Sequence, residues 1–362
     1  MTVKKDTKNY NAVFSLFQLE FANSVIINSN RGRMVYMISK ERKLWIYKTM
    51  NQIRHFEQKA QSLFEQNKLR GSVHLYAGEE AIAAAVCALL RDEDYITSTH
   101  RGHGHCIAKG ATLDRAMAEL MGKTTGYCKG RSGSMHIADF EKGNLGANAI
   151  VGGGIPIAVG AALAAKLRGS DQVAVSFFGD GASNEGTFHE SLNLASVWKL
   201  PVILVCENNG FGISVPTWQS TSVEDISIRS TSYNIPGVTV DGNDVYAVYK
   251  AAEAAIKRAK EGKGPTLIEC KTCRHMGHWT GDPQTYRTKK EVEEWKTGRD
   301  PIKMFRNKLL ENGDFTVEDL DKIENDAVKE ADDAAEYAIN SPEPDPASVM
   351  EDVFYIKQEA AV

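Results

Sequence analysis

Two near-continuous apolar runs, Val173–Phe178 and Pro201–Cys206, constrain this chain more than any other feature. Each is typical of a strand covered on both faces. Between them, Thr187 to Trp198 reads as one helix. Strand, helix and strand at this spacing form a βαβ unit, which implies a parallel sheet. The first run leads into Gly179-Asp180-Gly181, and the second into Asn208-Asn209-Gly210-Phe211-Gly212. Both turns therefore fall at carboxyl ends of neighbouring parallel strands, where open α/β sheets bind ligands.

These turns suit a Mg²⁺-diphosphate. Mg²⁺ takes hard oxygen ligands in an octahedron and shares them between protein and phosphate. Asp180 offers a carboxylate, Asn209 an amide oxygen, and Phe211 a backbone carbonyl on a tight turn. Gly179 and Gly181 let backbone approach phosphates, and the following helix is expected to present its N-terminal dipole. Gly-Asp-Gly alone is a common strand-end turn. It gains meaning from Asn208-Asn209, because residues 182–207 return the chain to the same sheet edge.

Around this unit, Glu41–Glu65 reads as an amphipathic helix with Leu44, Tyr47, Ile53, Phe56 and Leu63 on its apolar stripe. Gly78–Leu90 is a second helix, with Glu79 and Glu80 placed to favour the dipole of its first turn. Asp94–Thr99 reads as a strand, and Leu113–Met121 as a helix capped by Thr112. Pro156 opens a helix that stops at Gly169. Val238–Val240 and Thr266–Lys271 are further strands, separated by a helix capped by Asn243. Beyond Asp300 the chain becomes helical and charged, with Thr316 and Asp319 as a capping box.

Residues 1–38 read as an N-terminal extension, 39–300 as the main domain and 301–362 as a helical region and tail. The first 33 residues allow two readings. One is a mis-called start, since purine-rich codons for Arg31-Gly32-Arg33 would resemble a ribosome-binding site ahead of Met34 and Met37. The other is a genuine flexible or subunit-contacting extension.

A net charge of −4 gives no reason to expect nucleic acid or an anionic membrane as the partner. Six cysteines in 362 residues are too sparse for a disulfide framework and suit free thiols in the cytoplasm. No stretch reaches the length of a membrane span, and Val13–Ile27 is too interrupted for a signal peptide. His100, His103 and His105 invite a metal reading but have no conveniently spaced cysteine. Cys270 and Cys273 lie on opposite faces of a strand. Gly152-Gly153-Gly154 lacks the order of a nicotinamide nucleotide fingerprint, and no GxxxxGK[ST] occurs for a P-loop hydrolase.

The stretch GDGASNEGTFHESLNLASVWKLPVILVCENN resembles the thiamine diphosphate fingerprint. With SVHLYAGEEA, THRGHGH, GYCKGRSGSMHIAD, IVGGGIP and RHMGHWTGDPQTYR, it resembles the α subunits of pyruvate, branched-chain 2-oxo acid and acetoin dehydrogenases. The resemblance implies an α/β thiamine diphosphate-binding fold: a central, mostly parallel sheet flanked by helices, with an N-terminal helix and a helical C-terminal region. It implies Asp180, Asn209 and the Phe211 carbonyl as Mg²⁺ ligands, and amides of Gly181 and Ala182 beside the diphosphate after Gly179. Arg101 would bind the diphosphate through its donor fork. His100 stands where many members have tyrosine, and Ala149 where pyruvate enzymes commonly have glycine. Val151 matches a position whose backbone contacts the aminopyrimidine. His278 matches a loop histidine near the diphosphate and reaction centre, and His74 one lining the substrate side; either could steer protons or orient a lipoyl group.

The resemblance further implies two α and two β chains and a lipoyl-bearing acetyltransferase component. The glutamate that activates the aminopyrimidine would come from β, so neither Glu79 nor Glu185 receives that role. Loops 213–234 and 275–287 would flank the cofactor entrance as gates. Trp279 stands where animal pyruvate members carry a regulatory serine, so that control is not expected. THRGHGHCIAKG and GNLGANAIVGGG look more like acetoin than pyruvate dehydrogenase α subunits. The expected substrate is therefore acetoin, with pyruvate next and a branched-chain 2-oxo acid third. A non-catalytic scaffold subunit is the contrasting reading, and intact Asp180 and Asn209 weigh against it.

Overall fold

A computed structural model describes residues 38–69 and 71–353. The N-terminal extension, with its two readings, therefore lies outside the described residues apart from Ile38. The helices, in chain order, are α1 Lys40–Glu65, α2 Glu80–Cys87, α3 Gly102–Ala108, α4 Leu113–Leu120, α5 Gly154–Arg168, α6 Gly186–Val197 and α7 Thr217–Ser220. They continue with α8 Val245–Lys260, α9 Lys289–Gly298, α10 Pro301–Glu311 and α11 Val317–Asn340. The strands are β1 Tyr95–Thr97, β2 Ala174–Gly179, β3 Val202–Asn208, β4 Phe211–Gly212, β5 Val215–Pro216, β6 Gly237–Asp241 and β7 Thr266–Lys271.

Five strands form one parallel sheet in the order β1-β2-β3-β7-β6. The apolar runs alternate their side chains between two cores, as a strand must. Val175, Phe177, Ile203, Val205 and Ile268 face a core shared with α1, α2 and α8. Phe178, Leu204, Cys206 and Leu267 face the opposite side, with Ile155 of α5 and Phe188 and Leu192 of α6. Ala174 and Val202 join Ala158, Ala162 and Ala195 in a third cluster. The sheet is thus covered on both faces, and only the loops at its strand ends are free to build a site.

Helix α11 lays Ala327, Ala331, Ala334 and Ala338 against α1 and α4. These side chains are small enough to let helix backbones approach closely. The Thr316–Asp319 capping box starts this helix, as the sequence predicts.

Other local expectations need correction. Asp244, not Asn243, caps α8, accepting from the Tyr246 and Ala247 amides. Asn243 is fully buried and instead donates to the Arg299 carbonyl while accepting from Thr272 Oγ1. Leu44 is exposed, whereas Tyr47, Ile53, Phe56 and Leu63 are buried. Thr112 precedes α4 but makes no side-chain cap bond. Helix α2 spans only Glu80–Cys87, and Glu80 there is gripped by Arg54, through Nε at 2.5 Å and Nη2 at 3.0 Å. A 3₁₀ turn, Asp180–Asn184, separates Gly179 from α6, so the α-helical N-terminus begins farther on than expected.

Candidate active site

A cavity of about 400 Å³ opens at the carboxyl ends of β1, β2, β3 and β7. Every residue singled out from the sequence lines it: His74, His100, Arg101, Ala149, Val151, Gly179, Asp180, Gly181, Ala182, Asn209, Phe211 and His278. They come from segments far apart in the chain, and parallel pairing is what aligns them. A larger cavity, about 670 Å³, lies across the Asn209–Phe211 turn and is lined by no histidine.

On the oxygen-rich side, Asp180 is buried and its Oδ2 accepts from Thr217 Oγ1 at 2.8 Å. Burial pushes its carboxyl upward, while the Thr217 hydrogen bond and Arg274 pull it back. A Cβ built on Gly179 would meet nothing within 4 Å, and one on Gly181 would first meet the Gly212 Cα at 3.6 Å. The turn thus leaves room for a bulky group. Asp180, Asn209 and Phe211 together offer the hard oxygen set that Mg²⁺ takes.

Cationic groups lie on the other side of the cavity. Arg101 is 3 % exposed and Arg274 is 2 % exposed. Their hydrogen bonds go to carbonyls, a phenol and an imidazole, never to a carboxylate among the described residues. Arg274 Nε has no hydrogen-bond partner among the described residues. Burial and the neighbouring Arg274 lower Arg101 to about 10. Neither guanidinium is ion-paired to a carboxylate among the described residues, although Glu79 on the same cavity wall acts on both, and two such buried donor forks suit an anion. A bound diphosphate would be such an anion, so the residues present fit a Mg²⁺-diphosphate.

Three imidazoles complete the wall. The rings of His74, His100 and His278 sit 4.8 to 5.3 Å apart, and their ligand atoms lie within 4.8 Å of one another. Burial, then Arg101, pushes His278 down to about 3 and His74 to about 4, and lowers His100 as well. All three are therefore neutral near pH 7. Yet His278 Nδ1 accepts from both Arg101 Nη2 at 3.1 Å and Arg274 Nη1 at 2.9 Å. Guanidinium nitrogens only donate, so the imidazole proton sits on Nε2. That donor and the two guanidiniums favour an anion here over a metal cation. His103 and His105 turn away to buried acids, so the run His100, His103, His105 does not converge.

Beneath His74 runs a buried chain, Glu57–His103–Ser134. His103 Nδ1 meets Glu57 Oε2 at 3.0 Å and its Nε2 meets Ser134 Oγ at 2.9 Å, while the His74 amide donates to Ser134 Oγ at 3.4 Å. The order matches a hydrolytic triad, but Ser134 does not line the cavity. The chain braces the loop that carries His74. Gly104 makes room for Tyr76, since a Cβ there would meet its ring at 2.1 Å. The Tyr76 hydroxyl in turn donates to Glu207, which also receives His105 Nε2 at 2.9 Å.

Both loops expected at the entrance contribute to the wall, through Ile213 and His278. Trp279, beside His278, packs edge-on against Phe64 of α1, with ring centres 6.3 Å apart. Sequence reasoning does not place Arg274 or Glu207 at the site and considers Glu79 only to set it aside, yet all three line the cavity. Arg274 was within reach, because it opens the RHMGHW stretch that holds His278. The two acids carry no local signal.

The fold is that of an α/β enzyme domain of the thiamine diphosphate type, with a cavity at the strand ends. The chain matches the family described as dehydrogenase E1 component over residues 48–347. It is 54 % identical over 317 residues to the acetoin:2,6-dichlorophenolindophenol oxidoreductase α subunit of Bacillus subtilis, covering 88 % of this chain and 95 % of that one. The protein of the same name from Cupriavidus necator is 47 % identical, with the same coverage. The pyruvate dehydrogenase E1 component α subunit of Porphyra purpurea is 40 % identical, covering 85 % of this chain and 91 % of its own. The chain belongs to the dehydrogenase E1 component family. No helix among the described residues is long and apolar enough to cross a membrane.

Proposed function

We propose that this chain is the α subunit of the first component of an acetoin dehydrogenase complex, binding Mg²⁺-thiamine diphosphate in the 400 Å³ cavity. The observation that carries the reading is that Arg101 and Arg274, neither ion-paired to a carboxylate among the described residues, share one cavity with the Asp180–Asn209–Phe211 oxygen set. Relatives named for acetoin, at 54 % and 47 % identity against 40 % for one named for pyruvate, support acetoin as the substrate.

When bound, thiamine diphosphate supplies a nucleophilic thiazolium carbon and an electron sink for carbon–carbon cleavage. The protein's task is to position and to exclude water. Arg101 and Arg274 orient the diphosphate, and Asp180, Asn209 and the Phe211 carbonyl hold Mg²⁺. Gly179, Gly181 and Ala182 provide a backbone floor. Ala149 and Val151 border the aminopyrimidine end. His278, neutral and protonated on Nε2, offers a fixed donor to a substrate or lipoyl oxygen or sulfur. His74 and His100 line the same wall.

The partners are a β subunit, in an assembly of two α and two β chains, and a lipoyl-bearing acetyltransferase component. The β chain supplies the aminopyrimidine-activating acid, and the complex works in the cytoplasm. The test is dye reduction by the chain co-purified with its β subunit, with thiamine diphosphate and Mg²⁺, on acetoin and pyruvate separately. Preference for acetoin is expected. Preference for pyruvate would reassign the substrate, and no activity on either, with Asp180→Asn leaving cofactor affinity unchanged, would make the chain a scaffold.

A further inference from the structure

Glu79 and Glu80 stand side by side in sequence but have opposite fates. Glu80 is consumed by Arg54, which also reaches Asp300 Oδ2 at 2.7 Å. Glu79 is 1 % exposed and turns into the cofactor cavity. Its Oε1 accepts from Asn209 Nδ2 at 2.8 Å. Its Oε2 has no hydrogen-bond partner among the described residues.

We propose that Glu79 is a positioning residue for the metal, fixing which way the Asn209 amide points. This rests on the reading of Asp180, Asn209 and Phe211 as the Mg²⁺ ligands. An asparagine can present either oxygen or nitrogen to a given point. A carboxyl oxygen that captures Nδ2 turns Oδ1 the other way, where it accepts at 3.4 Å from the Phe211 amide and keeps a second lone pair for a cation.

Gly78, just before it, supports this placement. Its φ is +104°, and a Cβ there would lie 2.4 Å from the Cys273 carbonyl. Only glycine lets this corner pass so close to the segment leading from β7 to Arg274. The corner that aims Glu79 is therefore built into the backbone rather than left to a rotamer.

The experiment measures Mn²⁺ binding by electron paramagnetic resonance in the complex of this chain with its β subunit, with thiamine diphosphate present. The variants are Glu79→Gln and Glu79→Met. Gln keeps an oxygen for Asn209 Nδ2, whereas Met fills similar space without an acceptor. Loss of an outer partner typically weakens metal binding about 10- to 100-fold, so Met is expected to lose about tenfold or more and Gln to stay within about threefold of wild type. Thermal melting confirms folding of each variant, and Glu79→Leu replaces Met if that variant does not assemble. Met binding as tightly as wild type would overturn the proposal. So would equal loss in Gln and Met, since charge and not amide orientation would then be the cause. Wild type failing to bind Mn²⁺ would instead sink the metal-site reading beneath it.

Discussion

Arg101 grips His278 twice, from Nη2 to its Nδ1 at 3.1 Å and to its backbone carbonyl at 2.7 Å. With Arg274, this guanidinium fixes the tautomer of the imidazole, and its Nη1 meanwhile donates to the Leu75 carbonyl at 2.8 Å, tying the 275–287 loop to the segment before α2. Lysine has a single nitrogen and cannot span from Leu75 to His278 as the fork does. Arg101→Lys is expected to weaken thiamine diphosphate binding by about tenfold or more, roughly 1.4 kcal/mol. The same change should speed proteolytic cutting in the 275–287 loop. Calorimetric titration of cofactor and timed protease digestion of the α–β complex check both, and intact affinity with intact protection would refute the double grip.

Substrate preference gives a second prediction. His100 lies against His74 and His278, on the cavity wall shared with Ala149. His100→Tyr places a larger ring and a hydroxyl at that wall. The ratio of kcat/KM for acetoin over pyruvate is expected to fall severalfold, with Mn²⁺ affinity unchanged. A ratio that does not move would show that selectivity resides on the β side.

Acid stability follows from the buried imidazoles. His74 and His275 are each lowered to about 4 and His278 to about 3, chiefly by burial, from an ordinary value of 6.5. Between pH 6.5 and about 4 the unfolded chain binds protons that the folded chain refuses. Stability must therefore fall as pH drops through that window, by up to about 1.4 kcal/mol per pH unit for each histidine. Melting temperatures of the cofactor-free complex from pH 7.5 to pH 5 measure the slope. His275→Gln, which does not touch the cavity wall, should make it shallower; an unchanged slope would assign the acid sensitivity elsewhere.

Glu119 offers a purely structural test. Its two oxygens are fully buried and accept from the amides of Cys128, Gly130, Ser132 and Gly133 and from Ser132 Oγ. Glu119→Gln would point an NH₂ at amides that need an acceptor. Destabilisation on the order of 3 kcal/mol is expected, read as a lower urea midpoint. Because this loop runs on to Ser134 beneath His74, KM should rise as well.

The sheet and the cavity floor were legible in the sequence because their determinants are local and periodic. Apolar runs such as Val173–Phe178 can only be strands of a two-sided sheet, and the turns after them must meet at its edge. What could not be read is the choice of side-chain partners. Asn243 and Asp244 are equally good caps on paper, and the outcome depends on Arg299 and Thr272, distant in sequence. Glu79 and Glu80 look interchangeable until Arg54 claims one of them. The brace Glu57–His103–Ser134 joins three segments with no spacing rule between them. Arg274, by contrast, opens the same RHMGHW stretch that holds His278 four residues on.

The two buried guanidiniums also have a consequence for how long the protein lasts. Arg101 and Arg274 repel each other at the cavity wall, and on the proposed reading a bound diphosphate would relieve that repulsion only in the folded chain. Such a ligand shifts the folding equilibrium by RT ln(1 + [L]/Kd), about 2.7 kcal/mol at a hundredfold excess over Kd. Turnover of the chain by proteases should then slow when thiamine is plentiful and quicken when it is scarce. The vitamin would set the abundance of its own enzyme through survival of the polypeptide, without any change in its synthesis.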